Sequence, residues 1–183
     1  QMREAMDTGI RIDVNEVPYN IFSRAIEANI LPFCASRRIP IFASMALQQG
    51  LLTGMYQSAS EVPMHQAHSR HYKVERGGGT SRHGEAGAEE EMFAALGELK
   101  RIADELGSSI AQMAIAWVMS RTGVTSTLVG NRKPQQLDEN IRAASLTLAP
   151  ETIARIDRAS QPVLDVLGDN PDYYENSENA RIF

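Results

Sequence analysis

Three short runs of β-branched and apolar residues, each followed by a stretch with helical periodicity, set the limits on this chain. The runs are IRIDVNEVP (10–18), IPIFASMAL (39–47) and VTSTLVG (124–130). The first alternates in part and ends at a proline, as a short strand and its exit do. The second is almost continuously apolar, the pattern of a strand covered on both faces. Strands that alternate with helices form a parallel sheet. A sheet of only three strands has two open edges and no closed core. The expectation is therefore an α/β fold that needs neighbours, either the rest of a barrel or another chain. Length points the same way: the chain has 183 residues, whereas a closed eight-fold β/α barrel takes roughly 250.

The helical stretches can be placed between these runs. Phe22, Ala25, Ile26, Ile30, Leu31, Phe33 and Cys34 form an apolar stripe over 22–37, and Pro32 is expected to kink or divide it. From Ala88 a second stripe runs through Met92, Leu96, Leu99, Ile102 and Ala103 to Gly107. Its first turn carries Glu89, Glu90 and Glu91, which suit the positive end of a helix dipole. Ser109 and Gln112 have the spacing of a capping box and open a third helix. Pro134 fits the first position of a fourth, running through Leu137 and Ile141, and 150–160 makes a fifth. The opening QMREAMDTG lacks a Met at position 1 and an apolar stretch after a basic one, so it is not a signal peptide. It reads as the last turns of a helix ending at Gly9, as though the chain began inside a fold.

Two stretches have a different character. Residues 55–87 hold most of the glycines of this region and all four histidines, and read as a long loop with little regular structure. Residues 162–183 form a polar and aromatic tail, expected to lie over a surface. The domain reading is thus one barrel portion over 1–161, interrupted by the loop, and a tail.

Composition narrows the function. Apolar residues make up 43% and charged residues 22%, with a net charge of −5. No basic stripe appears, so nucleic acid is not an expected partner. No run approaches the ~18 apolar residues of a membrane span. The single cysteine, Cys34, reads as a core residue and fits a reducing compartment. His65, His68 and His71 recur every third residue, with His83 beyond, and three imidazoles could make an open zinc site. Their supporting carboxylates are only Glu61, Glu75 and Glu85, and solvated loop histidines are the better reading. The GGGT at 77–80 lacks the Lys-Ser/Thr of a phosphate loop.

Four segments, in order and spacing, resemble the aldo-keto reductase family: DVNEVPYN (13–20), IFASMALQQGLLTGMY (41–56), LKRIADELGSSIAQMAIAWVMS (99–120) and LVGNRKPQQLDENIRA (128–143). The resemblance implies part of a (β/α)8 TIM barrel, these three strands being the sixth, seventh and eighth. It also implies an NADP(H)-dependent, cytoplasmic oxidoreductase reducing aldehydes or ketones, whose partner is a small carbonyl substrate. The family's catalytic Asp, Tyr, Lys and His come from the first half of the barrel, and none of the matching segments holds their positions. Tyr19 matches a tyrosine at the end of the sixth strand, read as structural or pocket-lining. An alternative function is a non-catalytic NADP-binding subunit, or a half-barrel that assembles with another chain.

Site residues follow from the same resemblance, each with a plainer alternative. Glu16 stands where the family has a Gln bonded to the nicotinamide amide; otherwise it is a solvated or ion-paired carboxylate at a strand end. Ser44 stands where the family often has a stacking aromatic, and it cannot stack. Met45, Leu47, Gln49, Gly50 and Leu52 lie in a segment whose backbone wraps the pyrophosphate in the family; otherwise the segment is an ordinary turn. Gly130 leads into a helix N-terminus suited to an anion. There the family places the adenosine 2′-phosphate against Asn131 and Arg132, and the adenine and ribose against Gln136 and Asn140. The alternatives are a surface arginine at 132 and a local helix-face hydrogen bond at Asn140. No metal site and no catalytic residue are assigned.

Overall fold

The computed structural model describes residues 1–176 and Glu178. Three strands form one parallel sheet in the order of the chain: β1 (Asn15–Pro18), β2 (Ile41–Ser44) and β3 (Val124–Thr127). Six α-helices accompany them: α1 (Met2–Asp7), α2 (Ile30–Arg37), α3 (Glu89–Glu105), α4 (Ile110–Met119), α5 (Pro134–Ala143) and α6 (Pro150–Leu167). The strands are shorter than their apolar runs. β1 takes only the end of 10–18, and β2 stops at Ser44 because Met45 turns into the left-handed region, with φ of 56°.

Helix signals act locally. Ser109 accepts from the Gln112 amide, and the Gln112 side chain accepts from the Ser109 amide, closing the capping box. Pro134 and Pro150 each sit in a first turn, where an amide has no partner to lose. Pro32 does the same in α2, so the stripe over 22–37 is not kinked at the proline. It is divided before it, into a 3-10 turn at Ala25–Glu27 and α2. The last helix runs beyond 160, through Pro162 to Leu167. Ile156, Ser160 and Val163 keep one face of it buried, and that burial outweighs the lost backbone bond at Pro162.

The core lies between the helices α3, α4 and α6 and the segments leaving β1 and β2. Met92, Leu99 and Ile102 of α3 meet Met113 and Trp117 of α4, Ile156 and Val163 of α6, and Tyr19, Ile21, Leu51 and Leu52 from the strand exits. A smaller cluster of Cys34, Ile39 and Ile41 packs under α2. The outer edges of β1 and β3 pair with no strand among the described residues. Ile10 and Val14 beside β1, and Leu128, Leu137 and Ile141 beside β3, are exposed. No described helix is long and apolar enough to cross a membrane.

The stretch 55–87 has three short 3-10 turns and no strand or α-helix, yet polar contacts hold it. Arg70, buried, donates to the carbonyls of Leu167, Asn170 and Asp172 and pairs with Glu85 at 3.0 Å. The Arg70 amide also donates to the Tyr173 carbonyl. The described part of the tail is thereby docked on the loop, with Tyr174 stacked on His68. The remainder of the tail lies outside the described residues.

Replacing Arg70 with Leu strands three carbonyls and Glu85, so it is expected to cost about 3 kcal/mol in denaturant unfolding. Faster hydrogen exchange over 167–176 should accompany the loss. Unchanged exchange there would show that the tail is held by other contacts.

Candidate functional site

The expected cofactor residues lie on β1, at the end of β2 and after β3. Parallel register sets Glu16 beside Phe42 and Pro18 beside Ser44, so Glu16 and Ser44 share one side of the sheet. The opposite side, with Val17, Ile41 and Ala43, packs into the two cores. Glu16 is exposed and makes no ion pair among the described residues. Ser44 is half-buried, and its carbonyl accepts the Tyr19 amide at 2.9 Å.

The segment after β2 has the most unusual backbone among the described residues. Met45, Gln48 and Gln49 have φ of 56°, 47° and 52°, and Gly50 follows at 101°. Residues with side chains rarely adopt this region, and each such position costs on the order of 1–3 kcal/mol unless its surroundings enforce it. The amides of Met45, Ala46 and Leu47 donate to no backbone acceptor among the described residues. Unbonded amides beside a left-handed turn make a concavity that suits an anion. Gly50 and Leu52 instead donate to the Leu47 carbonyl. The Leu51 and Leu52 side chains are buried in the main core, so Leu52 offers only its main chain to a ligand.

Asn20 holds this segment. It is fully buried, and its Nδ2 donates to the Met45 carbonyl at 2.9 Å and to Gln48 Oε1 at 2.8 Å. Its Oδ1 accepts the amides of Phe22 and Ser23. Ser23 Oγ lies 3.1 Å from Gln48 Oε1, and His71 Nε2 lies 3.0 Å from Ser23 Oγ. Two amide atoms remain buried without a partner: Gln48 Nε2 and Gln49 Oε1. Gln49 Nε2 reaches the Tyr174 hydroxyl of the tail at 3.4 Å. Asn20, Ser23 and Gln48 are absent from the residues the sequence nominates, and His71 enters there only among the loop histidines weighed for a metal. A polar pair inside the otherwise apolar PYNIF and MALQQG is the signal that marks Asn20 and Gln48.

After β3, Gly130 leads to α5. A Cβ there would meet nothing within 4 Å, so packing inside the chain does not require the glycine. Arg132 is exposed, and its guanidinium has no hydrogen bond or ion pair among the described residues. Gln136 turns back, its Oε1 accepting the amides of Arg132 and Lys133 at 2.9 and 3.1 Å. Asn140 donates to Asn131 Oδ1 at 2.6 Å. These two asparagines line a groove of about 400 Å³ with Thr127, Val129, Leu137 and Ile141. The four residues are therefore brought together, with their polar groups turned to one another and Arg132 left free.

Tyr19 is structural. Its hydroxyl donates to Glu27 at 2.7 Å and accepts from Arg121 at 3.1 Å, and its ring packs on Trp117. Burial first, and then the Glu27 carboxylate, raise its pKa well above the phenol range. The histidines are not uniformly solvated. His65 is exposed and His68 half-buried, but His71 and His83 are buried. Burial pushes the His71 imidazole down to about 3 and lowers His83 as well.

Comparison with known proteins gives the family. The model of the aldo/keto reductase family matches residues 1–161. A protein of Oryza sativa described as a probable voltage-gated potassium channel subunit beta is 31% identical over 88% of this chain and 49% of its own length. The L-glyceraldehyde 3-phosphate reductase of Escherichia coli O157:H7 is 31% identical over 79% of this chain and 40% of its own. The NADH-specific methylglyoxal reductase of Escherichia coli K12 is 26% identical over 81% of this chain and 41% of its own. Among solved structures, the glycerol dehydrogenase of Gluconobacter oxydans superposes with a TM-score of 0.68 at 25% identity. It covers 92% of this chain and 48% of that one. The chain belongs to the aldo/keto reductase family, and it spans about half the length of the relatives it matches.

The depressed His71 pKa has a consequence for stability. Between about pH 6.5 and pH 3 the unfolded chain takes up a proton at this site that the folded chain does not. Stability is therefore complete above the upper value and falls as pH drops through the window, by a few kcal/mol in order of magnitude. Urea unfolding at a series of pH values should show this slope, reduced in His71→Phe. An unchanged slope in the variant would assign the acid sensitivity elsewhere.

Proposed function

We propose that this aldo/keto reductase chain is the cofactor-binding portion of an NADP(H)-dependent, cytoplasmic reductase of aldehydes or ketones. Its strands would be the sixth, seventh and eighth of a (β/α)8 barrel. The observation that carries this reading is the left-handed run after β2, with its unbonded amides at the carboxyl end of a parallel strand. Ligand sites of such barrels gather at that end. The orphaned Gln48 and Gln49 amide atoms fit the same conclusion, since a segment built to hold a polar group leaves such atoms open.

In this assignment the amides of Met45, Ala46 and Leu47 receive the pyrophosphate, with Gly50 allowing close approach. The free Arg132 guanidinium takes the adenosine 2′-phosphate as a paired donor. Gln136 and Asn140 exchange their present internal partners for the adenine and its ribose. Glu16 accepts from the nicotinamide amide nitrogen, while Ser44 leaves the ring without a stacking partner. The bound nicotinamide supplies a hydride to a carbonyl carbon. The accompanying proton would come from outside these 183 residues, because no segment that resembles the family holds the positions of its catalytic Asp, Tyr, Lys and His, and Tyr19 is committed to Glu27 and Arg121.

Glu16 and Ser44 also favour a second reading. An ionised Glu16 cannot donate to the amide oxygen, and Ser44 cannot stack, so the barrel could hold the nucleotide without reducing a substrate. A relative described as a channel subunit accords with that reading.

The test is Arg132→Ala in the complete protein. NADPH affinity is expected to fall about tenfold or more and NADH affinity little, because only NADPH carries the 2′-phosphate. Fluorescence titration of both nucleotides measures this. Equal losses would overturn the phosphate assignment.

A further inference from the structure

We infer that His71, a residue of the long loop, is a positioning residue for the cofactor-holding segment after β2, acting through Ser23 and Gln48. The inference rests on the cofactor assignment above and adds the hydrogen bonds that His71 makes. His71 lies 26 residues beyond Met45 in the chain, in a stretch with no strand or α-helix, and is buried against Phe22 and Tyr173.

The hydrogen bonds have one consistent direction, set by groups that can only accept. The Phe22 carbonyl, 3.2 Å from His71 Nε2, can only accept, so the ring proton sits on Nε2. Nδ1 is then an acceptor, and Ser69 Oγ donates to it at 3.3 Å. At the far end Gln48 Oε1 can only accept. It receives the Ser23 hydroxyl at 3.1 Å and Asn20 Nδ2 at 2.8 Å. Ser23 Oγ has thereby given its proton to Gln48 and faces the His71 Nε2–H with a lone pair. The chain runs from Ser69 through His71 and Ser23 to Gln48, and Ser69, His71 and Ser23 each donate to the next member.

This chain of bonds fixes which way the Gln48 amide points. With Oε1 held by two donors, Nε2 is turned away and left without a partner. Gln48 is itself one of the left-handed residues, between Met45 and Gln49. Holding its side chain therefore holds the backbone whose amides face the anion. Burial keeps the ring neutral across ordinary pH, and the Phe22 carbonyl, which can only accept, keeps its one proton on Nε2. The long loop thus supplies a fixed donor to the segment after β2, and Arg70, next in sequence, anchors that loop to the tail.

His71→Phe in the complete protein keeps the ring and removes both nitrogens. Dissociation constants for NADPH and NADH are measured by fluorescence, and hydrogen exchange is measured without nucleotide. Both nucleotides should bind about tenfold more weakly, and by the same factor, because the pyrophosphate is common to both. Exchange should quicken over 45–52 and stay unchanged over α3 and α4. His71→Gln, which keeps a donor, should recover binding to within about threefold of the unaltered protein. Should His71→Phe not fold, Ser23→Ala breaks the link to Gln48 and carries the same expectations. Binding as tight as in the unaltered protein would overturn the inference alone. Exchange quickened equally over α3 and α4 would also overturn it, since His71 would then be an ordinary core residue. An unaltered protein that binds neither nucleotide removes the cofactor assignment and this inference together.

Discussion

The buried Asn20 carboxamide is the contact on which the candidate site depends. It joins the exit of β1 to the exit of β2 by using every hydrogen-bonding direction the amide offers. A run of left-handed residues with side chains does not persist without such enforcement. Leu51 and Leu52 anchor the downstream end of the run in the main core, and Asn20 anchors its upstream end. Between these two anchors the backbone is held open, with amides that bond to nothing in the backbone. A backbone set in this way by internal contacts would lower the ordering cost of binding at the proposed site.

Charged groups hold parts with no regular structure in the same way. Arg24 and Arg121 bring Glu27 and Asp157 together under the exit of β1, and Trp117 donates to the same aspartate. Arg70 does for the long loop what a strand does elsewhere, satisfying carbonyls that would otherwise face the interior bare. Such partly buried pairs contribute modestly to stability once desolvation is counted. Their value here is geometric, since each guanidinium ties together groups from separate stretches of the chain. A single fold element therefore does not own the site: strand exits, loop and tail share it.

The chain's sequence discloses some of this plainly. The capping box at Ser109 and the prolines at 134 and 150 depend on neighbours within one turn, so they read directly. The apolar runs reveal the three strands, but not where each stops. β2 ends at Ser44 because Asn20, far away in sequence, holds the turn at Met45. Likewise α6 passes Pro162 because Val163, just beyond it, is buried in the main core. The histidines of the long loop look alike in the sequence, and only packing separates the exposed His65 from the buried His71.

By itself the sequence determined the alternation of strands and helices and, through four segments that resemble it, the family, and it nominated the segments proposed to hold a nucleotide. The alternation rests on local periodicity and the resemblance on order and spacing along the chain, which need no third dimension. Tertiary structure decided which side chains hold those segments in shape. Asn20, Ser23, Gln48 and His71 meet only because three separate stretches fold against one another. A hydrogen bond between residues distant in sequence leaves no periodic trace, and its partners are chosen by packing.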